Sequence, residues 1–182
     1  PVINIYSSTF VFLTNPKTKV DSMQTLKDYI AAGKTVKVGV NGTNSSEALQ
    51  TAALLTELGA KFKLIPYEGA NEALTAVVSG EVTFATTHAS LAREFVKAGN
   101  VKPIVAFDEK KLVDEVYNLD SVVDYGFDTW MTNTCAVFIR AGTDQAIVDK
   151  NYKALKAILE NPKLQQTAKN IGLRLDIRDL SL

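Results

Sequence analysis

The stretch Lys37-Val38-Gly39-Val40-Asn41-Gly42-Thr43-Asn44-Ser45-Ser46-Glu47 decides the fold. An apolar run, Val36 to Val40, passes into a loop of small polar residues, and an amphipathic run with helical spacing starts near Ser45. A helix that begins this way leaves its first backbone N–H groups without intrahelical acceptors. Together with the helix dipole they form a ready site for an anionic group. Gly39 and Gly42 let the backbone approach a ligand closely. The spacing matches neither the dinucleotide-binding glycine pattern nor a phosphate loop with its lysine, so no nucleotide is indicated.

Working outward, the same unit recurs. Met23, Leu26 and Ile30 give a helix that Asp21 or Ser22 can cap and Gly33 ends. Ser45 to Gly59 reads as a helix with Ala48, Ala52 and Leu55 on one face and Leu49 and Ala53 beside it. Phe62 to Ile65 is a strand with the exit loop Pro66-Tyr67-Glu68-Gly69. Ala70, Ala73, Leu74, Val77 and Val78 form a clean helical stripe. Val82 to Ala85 is a strand, and Thr86-Thr87-His88 is expected to lead from it into a helix carrying Leu91, Phe95 and Val96. Val101 to Phe107 is a further strand. Strands separated by single helices predict a mostly parallel sheet with right-handed crossovers. The ligand of such a sheet sits beyond the carboxyl ends of the strands, here Val40–Ser46, Tyr67–Asn71 and Thr86–His88.

After Phe107 the pattern changes. Residues 108–124 read as a charged surface excursion with a short helix. Residues 129–139, with Trp130, Cys135 and Phe138, read as a strand. Thr143 can cap a helix carrying Val148, Tyr152, Leu155, Ile158 and Leu159, and a shorter helix and a strand-like Leu173-Arg174-Leu175 follow.

Bulk properties exclude several classes. The 182 residues, 46% apolar, suit one ordinary domain or two small lobes. Twenty basic residues balance twenty acidic ones. No basic stripe serves a nucleic acid and no polybasic patch serves a membrane surface. No apolar run has the length of a membrane span. One cysteine, Cys135, allows no intrachain disulfide, and it reads as a small buried hydrophobe. One histidine, His88, is too few for the usual metal sites, and no cofactor motif is present. The start at Pro1 on a strand-like run is that expected of a processed or trimmed chain.

These pieces, in this order, resemble the substrate-binding receptors of tripartite tricarboxylate transporters, the Bug or TctC-like family. Phe12-Leu13-Thr14-Asn15-Pro16 with Met23 to Tyr29 resembles a strand, Asn-Pro and helix of the family. Val38 to Ser46 resembles its glycine–serine loop. Ile65-Pro66-Tyr67-Glu68-Gly69-Ala70-Asn71 resembles its Pro-Tyr-x-Gly loop, and Lys97 to Ala106 resembles a later helix end and strand. Thr129-Trp130 and Ile139 to Thr143 resemble its Trp strand and Gly-Thr cap. The resemblance implies a type II periplasmic-binding-protein-like α/β fold. One complete α/β lobe with a mostly parallel sheet would span 16–106, and 1–15 with 107–182 would supply a hinge strand and part of a second lobe. It implies an extracytoplasmic or periplasmic receptor, not an enzyme, that hands a small carboxylate-like solute to membrane transporter subunits.

The candidate ligand contacts are Asn41, Gly42, Thr43, Asn44, Ser45 and Ser46 from the first loop, and Tyr67, Gly69, Ala70 and Asn71 from the second. Thr87 and His88 come from the third, and Trp130 stands where the family's tryptophan lines the cleft. Three departures stand out. Much of the family's amino-terminal lobe has no counterpart, Glu68 replaces a usual basic residue, and Thr83 stands where an Asp is common. An acid near the cleft would repel a carboxylate or select an amino-bearing ligand. Two other classes fit the same edge: a ligand-sensing module of the same fold, which needs an attached signalling segment, and a small-metabolite enzyme, which needs a base that only His88 and Glu68 offer.

Overall fold

The structure, a computed structural model, describes residues 1–131, 133–175 and 177. Thr132, inside the expected 129–139 strand, lies outside the described residues, as do 176 and 178–182 of the expected second-lobe segment. The chain divides into two compact units, 9–131 and 1–8 with 132–182. The smaller unit opens the chain with β1 (Ile3–Ser8). The larger follows with β2 (Phe10–Thr14), α1 (Met23–Ala31), β3 (Val36–Asn41), α2 (Ser46–Glu57), β4 (Phe62–Tyr67), α3 (Ala70–Ser79), β5 (Phe84–His88), α4 (Ala89–Lys97) and β6 (Lys102–Phe107). A small hairpin, β7 (Leu112–Val113) and β8 (Asn118–Leu119), and a 3-10 turn, Val122–Tyr125, complete it.

The large sheet has five strands in the order β4-β3-β5-β2-β6. β3 runs parallel to β4 and to β5, and β2 is antiparallel to both β5 and β6. Four strands therefore share a direction and β2 opposes them. The sequence rhythm gives the four. It does not give the insertion of β2, because a strand's neighbours are set by packing and not by its own pattern. For the same reason β5 extends further than expected. Pairing of Phe10 with His88 and Val11 with Thr87 makes Thr86-Thr87-His88 strand rather than loop. The sheet of this unit also takes in Phe10–Thr14, which the sequence reading groups with the other part.

Alternation along the strands loads both faces. Phe10, Phe12, Val36, Val38, Val40, Phe84, Val105 and Phe107 face one core with Met23 and Leu26 of α1 and Leu54 and Leu55 of α2. Val11, Leu13, Ala85 and Ala106 face the other with Leu74 and Val77 of α3, Ala92 of α4 and Tyr117 of the hairpin. The sheet is thus covered on both faces, as parallel strands require. The buried face of α2 differs from the expected one. Glu47, Ala48, Gln50, Thr51, Leu54 and Leu55 are buried, and Leu49 is 57% exposed.

Local signals set the ends. Ser22 caps α1 in a reciprocal capping box with Thr25. In the 108–124 excursion a hairpin and a 3-10 turn replace the expected short helix. Asp114 shapes that hairpin by accepting from Val116 and Tyr117 N–H at 2.7 and 2.9 Å, and buried Arg93 donates to it at 2.7 Å. Burial would raise the Asp114 pKa, but these N–H groups and the guanidinium outweigh it and hold the carboxyl below its ordinary value.

The smaller unit is a three-stranded antiparallel sheet, β10-β1-β9, with β9 (Asn133–Val137), α5 (Gln145–Leu159), α6 (Pro162–Asn170) and β10 (Arg174–Leu175). Val2, Ile3 and Leu159 form its core. β9 is shorter than the expected strand, and Cys135 in it is half-buried rather than buried. Asp144, not Thr143, caps α5 through Ala146 N–H at 2.8 Å, while the Thr143 hydroxyl donates to the Arg140 carbonyl.

Two outcomes follow for the larger unit. A Cβ at Gly39 would lie 3.2 Å from the Tyr67 ring and 3.3 Å from Val82. Gly39→Val is expected to cost about 1–3 kcal/mol, read as a lower urea midpoint at unchanged slope. A depressed Asp114 contributes stability that is full above its unfolded pKa, near 4, and is lost as pH falls through the lower folded value. Asp114→Asn should therefore be less stable than the parent at pH 6, with the difference shrinking below about pH 4 in urea titrations.

Candidate functional site

The strand order places a switch point between β3 and β5. β3 leaves through α2 onto one face, β5 leaves through α4 onto the other, and the two strands lie side by side. A crevice opens beyond the carboxyl ends of such a pair. β4 runs parallel beside β3, so α3 starts at the same edge. Three helix N-termini, of α2, α3 and α4, therefore share one end of the sheet.

Each start is built differently. The Ser45 hydroxyl caps α2 by accepting from Ala48 N–H at 3.1 Å and donates to the Gly42 carbonyl at 3.3 Å. Gly42 turns the loop at φ 75°, and its N–H donates to the Tyr67 carbonyl at 3.1 Å, which ties the first loop to the second. Thr43 and Asn44 are exposed, and Asn41, Gly42, Ser45 and Ser46 are half-buried. Gly69 gives α3 no side-chain cap, so its first N–H groups, from Ala70 and Asn71, rely on partners outside the helix. The carboxylate of Glu72 instead accepts from Glu68 N–H at 3.1 Å. His88 also provides no side-chain cap for α4, whose first N–H, from Ala89, donates to the Thr9 carbonyl at 2.9 Å. The buried hydroxyl of Tyr117 holds the same turn by donating to the Ala89 carbonyl at 2.6 Å, and burial pushes its pKa far above the usual phenol value.

His88 stands at the centre of this edge. Its ring lies 4.5 Å from that of Phe10, and its Nε2 is 3.9 Å from Glu47 Oε1. The Glu47 side chain is 5% exposed and that of His88 29%. Burial pulls the His88 pKa below its ordinary value, and the Glu47 carboxylate opposes this only in part. The imidazole is therefore chiefly neutral at pH 7. At the far side of the edge, Thr9 donates to the Asp108 carboxylate, whose other oxygen accepts from Glu109 N–H at 2.8 Å.

The predicted residues divide accordingly. Asn41 to Ser46, Gly69 to Asn71 and His88 share the edge. Thr87 is fully buried in β5, with its hydroxyl unpartnered among the described residues. Its neighbour Thr86 bonds Thr51 of α2 at 2.6 Å and pins that helix to the strand. The ring of Tyr67 packs over Gly39, and its hydroxyl donates to Glu81 at 2.8 Å, three residues before β5 begins. That side chain thus points back along the strands into a cleft of about 340 Å³ lined by Glu72, Thr75, Ser79 and Glu81. Burial and Glu81 raise its pKa to about 12. Trp130 is half-buried against the α1–α2 core, and its segment is fixed by Met131 N–H donating to Gln50 at 3.0 Å. Glu47, Thr9 and Asp108 were not singled out by the sequence. For Glu47 the signal was present: it heads the buried stripe Glu47, Thr51, Leu54 and Leu55 at helical spacing. Among the described residues no cluster of three metal-ligating side chains occurs.

Residues 1–178 match the family described as the tripartite tricarboxylate transporter family receptor, TctC. Protein BugT of Bordetella pertussis is 25% identical over 153 residues, which cover 81% of this chain and 46% of BugT. MatC from Rhodopseudomonas palustris, solved with bound malate, superposes with a TM-score of 0.82 at 19% identity, over 96% of this chain and 60% of MatC. An R. palustris protein solved with adipate gives 0.86 at 19%, over 98% of this chain and 60% of the other. The chain spans about half the length of the curated relatives it matches. By its match over nearly all residues, with the same fold in solved members, the chain belongs to the tripartite tricarboxylate transporter receptor (TctC) family.

Proposed function

We propose that the larger unit is a ligand-binding lobe of an extracytoplasmic solute receptor, one that takes up a small carboxylate or similar polar metabolite and delivers it to a tripartite tricarboxylate-type membrane transporter. The observation that carries this reading is the convergence of the α2, α3 and α4 N-termini on one sheet edge at the switch point. Open N–H groups and aligned helix dipoles favour a carboxylate without a full salt bridge. Asn41, Thr43, Asn44, Ser45 and Ser46 add neutral donors and acceptors around it, with Gly42 and Gly69 leaving the backbone accessible. Ala70 and Asn71 donate from the α3 turn. Trp130 supplies apolar wall, and the smaller unit belongs to the second lobe. The relatives solved with malate and adipate support the ligand class. No helix among the described residues is long and apolar enough to cross a membrane, which fits a receptor that works with separate membrane subunits.

A thermal-shift screen with di- and tricarboxylates, amino acids, aromatic acids and phosphorylated metabolites tests the reading. One chemical class should stabilise the chain saturably, by about 2.7 kcal/mol at a concentration 100-fold above Kd. No saturable shift from any of them, in a chain that melts cooperatively, counts against a solute receptor.

The sole histidine gives a second check. Its Cε1–H signal should titrate below the ordinary imidazole value, so that His88 is neutral at pH 7. In Glu47→Gln it should titrate lower still, because the opposing Coulomb attraction is gone while burial remains. A pKa that rises in this variant would contradict the placement of the carboxylate beside the ring.

A further inference from the structure

Of the titratable side chains at this edge, His88 is the one whose charge ordinarily changes between about pH 5 and 8. It ends β5, and its Nε2 lies 3.9 Å from Glu47 Oε1 in the first turn of α2. The Phe10 ring of β2 is 4.5 Å away. Charged groups on the other surrounding elements are distant or engaged. β2 carries none, and the one cation of β3, Lys37, stands near the start of that strand. The second acid of α2, Glu57, is at the far end of its helix. On α3, Glu72 accepts from Glu68 N–H, and on α4 Arg93 bonds Asp114 while Glu94 pairs with Lys97. After β6, Asp108 accepts from the Thr9 hydroxyl and from Glu109 N–H. His88 and Glu47 thus form a charge pair beside the start of α2. With the imidazole neutral, the pair carries the net negative charge of Glu47, which opposes an anion seated on the same helical turn. A proton on His88 cancels that charge.

From this geometry we infer that solute binding is linked to protonation of His88: a carboxylate arriving at the helix starts draws a proton onto the imidazole, so its affinity rises as the pH falls below neutral. The inference rests on the receptor reading. Burial holds the ring chiefly neutral at pH 7 when the site is empty. A ligand carboxylate adds a second negative charge near the ring and favours the imidazolium. By linkage, the proton in turn favours the ligand. A pKa that rises by one unit on binding corresponds to an affinity gain of about tenfold at the limit. His88 acts here through its charge, whichever group its ring nitrogens bond, and Glu47 sets the field that the proton offsets.

Malate and adipate serve as probes, since both are largely ionised between about pH 8 and about pH 6. The Cε1–H signal of the sole histidine is titrated in the free chain and in the chain saturated with each acid. Saturation should raise the His88 pKa by about half a unit or more. Calorimetric titration should show affinity rising by about twofold or more from pH 8 to pH 6, with proton uptake read as a dependence of the heat on the buffer. In His88→Gln the acids should still bind at pH 8, and both the rise and the uptake should vanish. Saturable binding with a His88 pKa that stays the same or falls overturns the inference, leaves the receptor reading standing, and needs no variant to fold. A rise that survives in His88→Gln overturns it as well. Absence of binding by both probes also overturns it. In that case the receptor reading stands if another acid of the thermal-shift screen stabilises the chain, and falls too if none does.

Discussion

The site depends on one constraint: β3 and β5 must lie side by side and parallel while their connections leave on opposite faces. That arrangement opens the crevice. It also points the starts of α2 and α4 at the same space, because each helix begins where its strand ends. The hydroxyl pair Thr51–Thr86 and the apolar contacts of Leu54 and Leu55 hold α2 to this position. On the other face Tyr117 and the Thr9 carbonyl hold the first turn of α4. β2 then closes the arrangement. By pairing antiparallel with the full length of β5 it carries that strand out to His88 and brings Phe10 against the imidazole.

The electrostatics follow from the same geometry. Helix starts favour negative charge, and the fold already places one negative group, Glu47, in the first turn of α2. The dipole makes burial of that carboxylate tolerable. His88 does not compensate, since burial keeps it chiefly neutral. The edge is therefore mixed in character: helix starts that attract an anion, and a buried acid in the first turn of one of them.

The sequence reads this fold well where a residue's own pattern decides its structure. The βα rhythm, the start of α2 near Ser45, a cap of α1 at Asp21 or Ser22 (it is Ser22) and the stripe of α3 are all local, and all are found in place. It reads less well where a partner from far along the chain decides. Nothing in Phe10 to Thr14 says that it will sit between β5 and β6. As a result Thr86, Thr87 and His88 read as loop when they are strand, and only His88 remains at the rim. Tyr67 misleads for a related reason. It reads as exit loop but ends β4, and a glycine beneath it, Gly39, leaves room for the ring to lie back along the sheet. Glu47 does not stand out in the sequence because an acid in a first helical turn normally faces water. By hydropathy Leu49 outranks Thr51 for the buried face, yet the fold exposes Leu49 and buries Thr51, which turns Glu47 inward.

A receptor must release what it binds, and the construction of this edge suits that demand. Backbone N–H groups at helix starts are fixed before the ligand arrives, so little ordering entropy is lost on binding, yet each neutral hydrogen bond contributes only about 0.5–1.5 kcal/mol net. A handful of them reaches roughly micromolar affinity, near 8 kcal/mol, without any buried arginine or lysine clamp. Arg93, the buried cation of this unit, is committed to Asp114 and the hairpin, on the side of the sheet that carries α4. On the proposed reading the fold spends the Arg93 guanidinium on structure and leaves recognition to dipoles and hydroxyls. Affinity from such groups is moderate, which keeps release of the solute within reach.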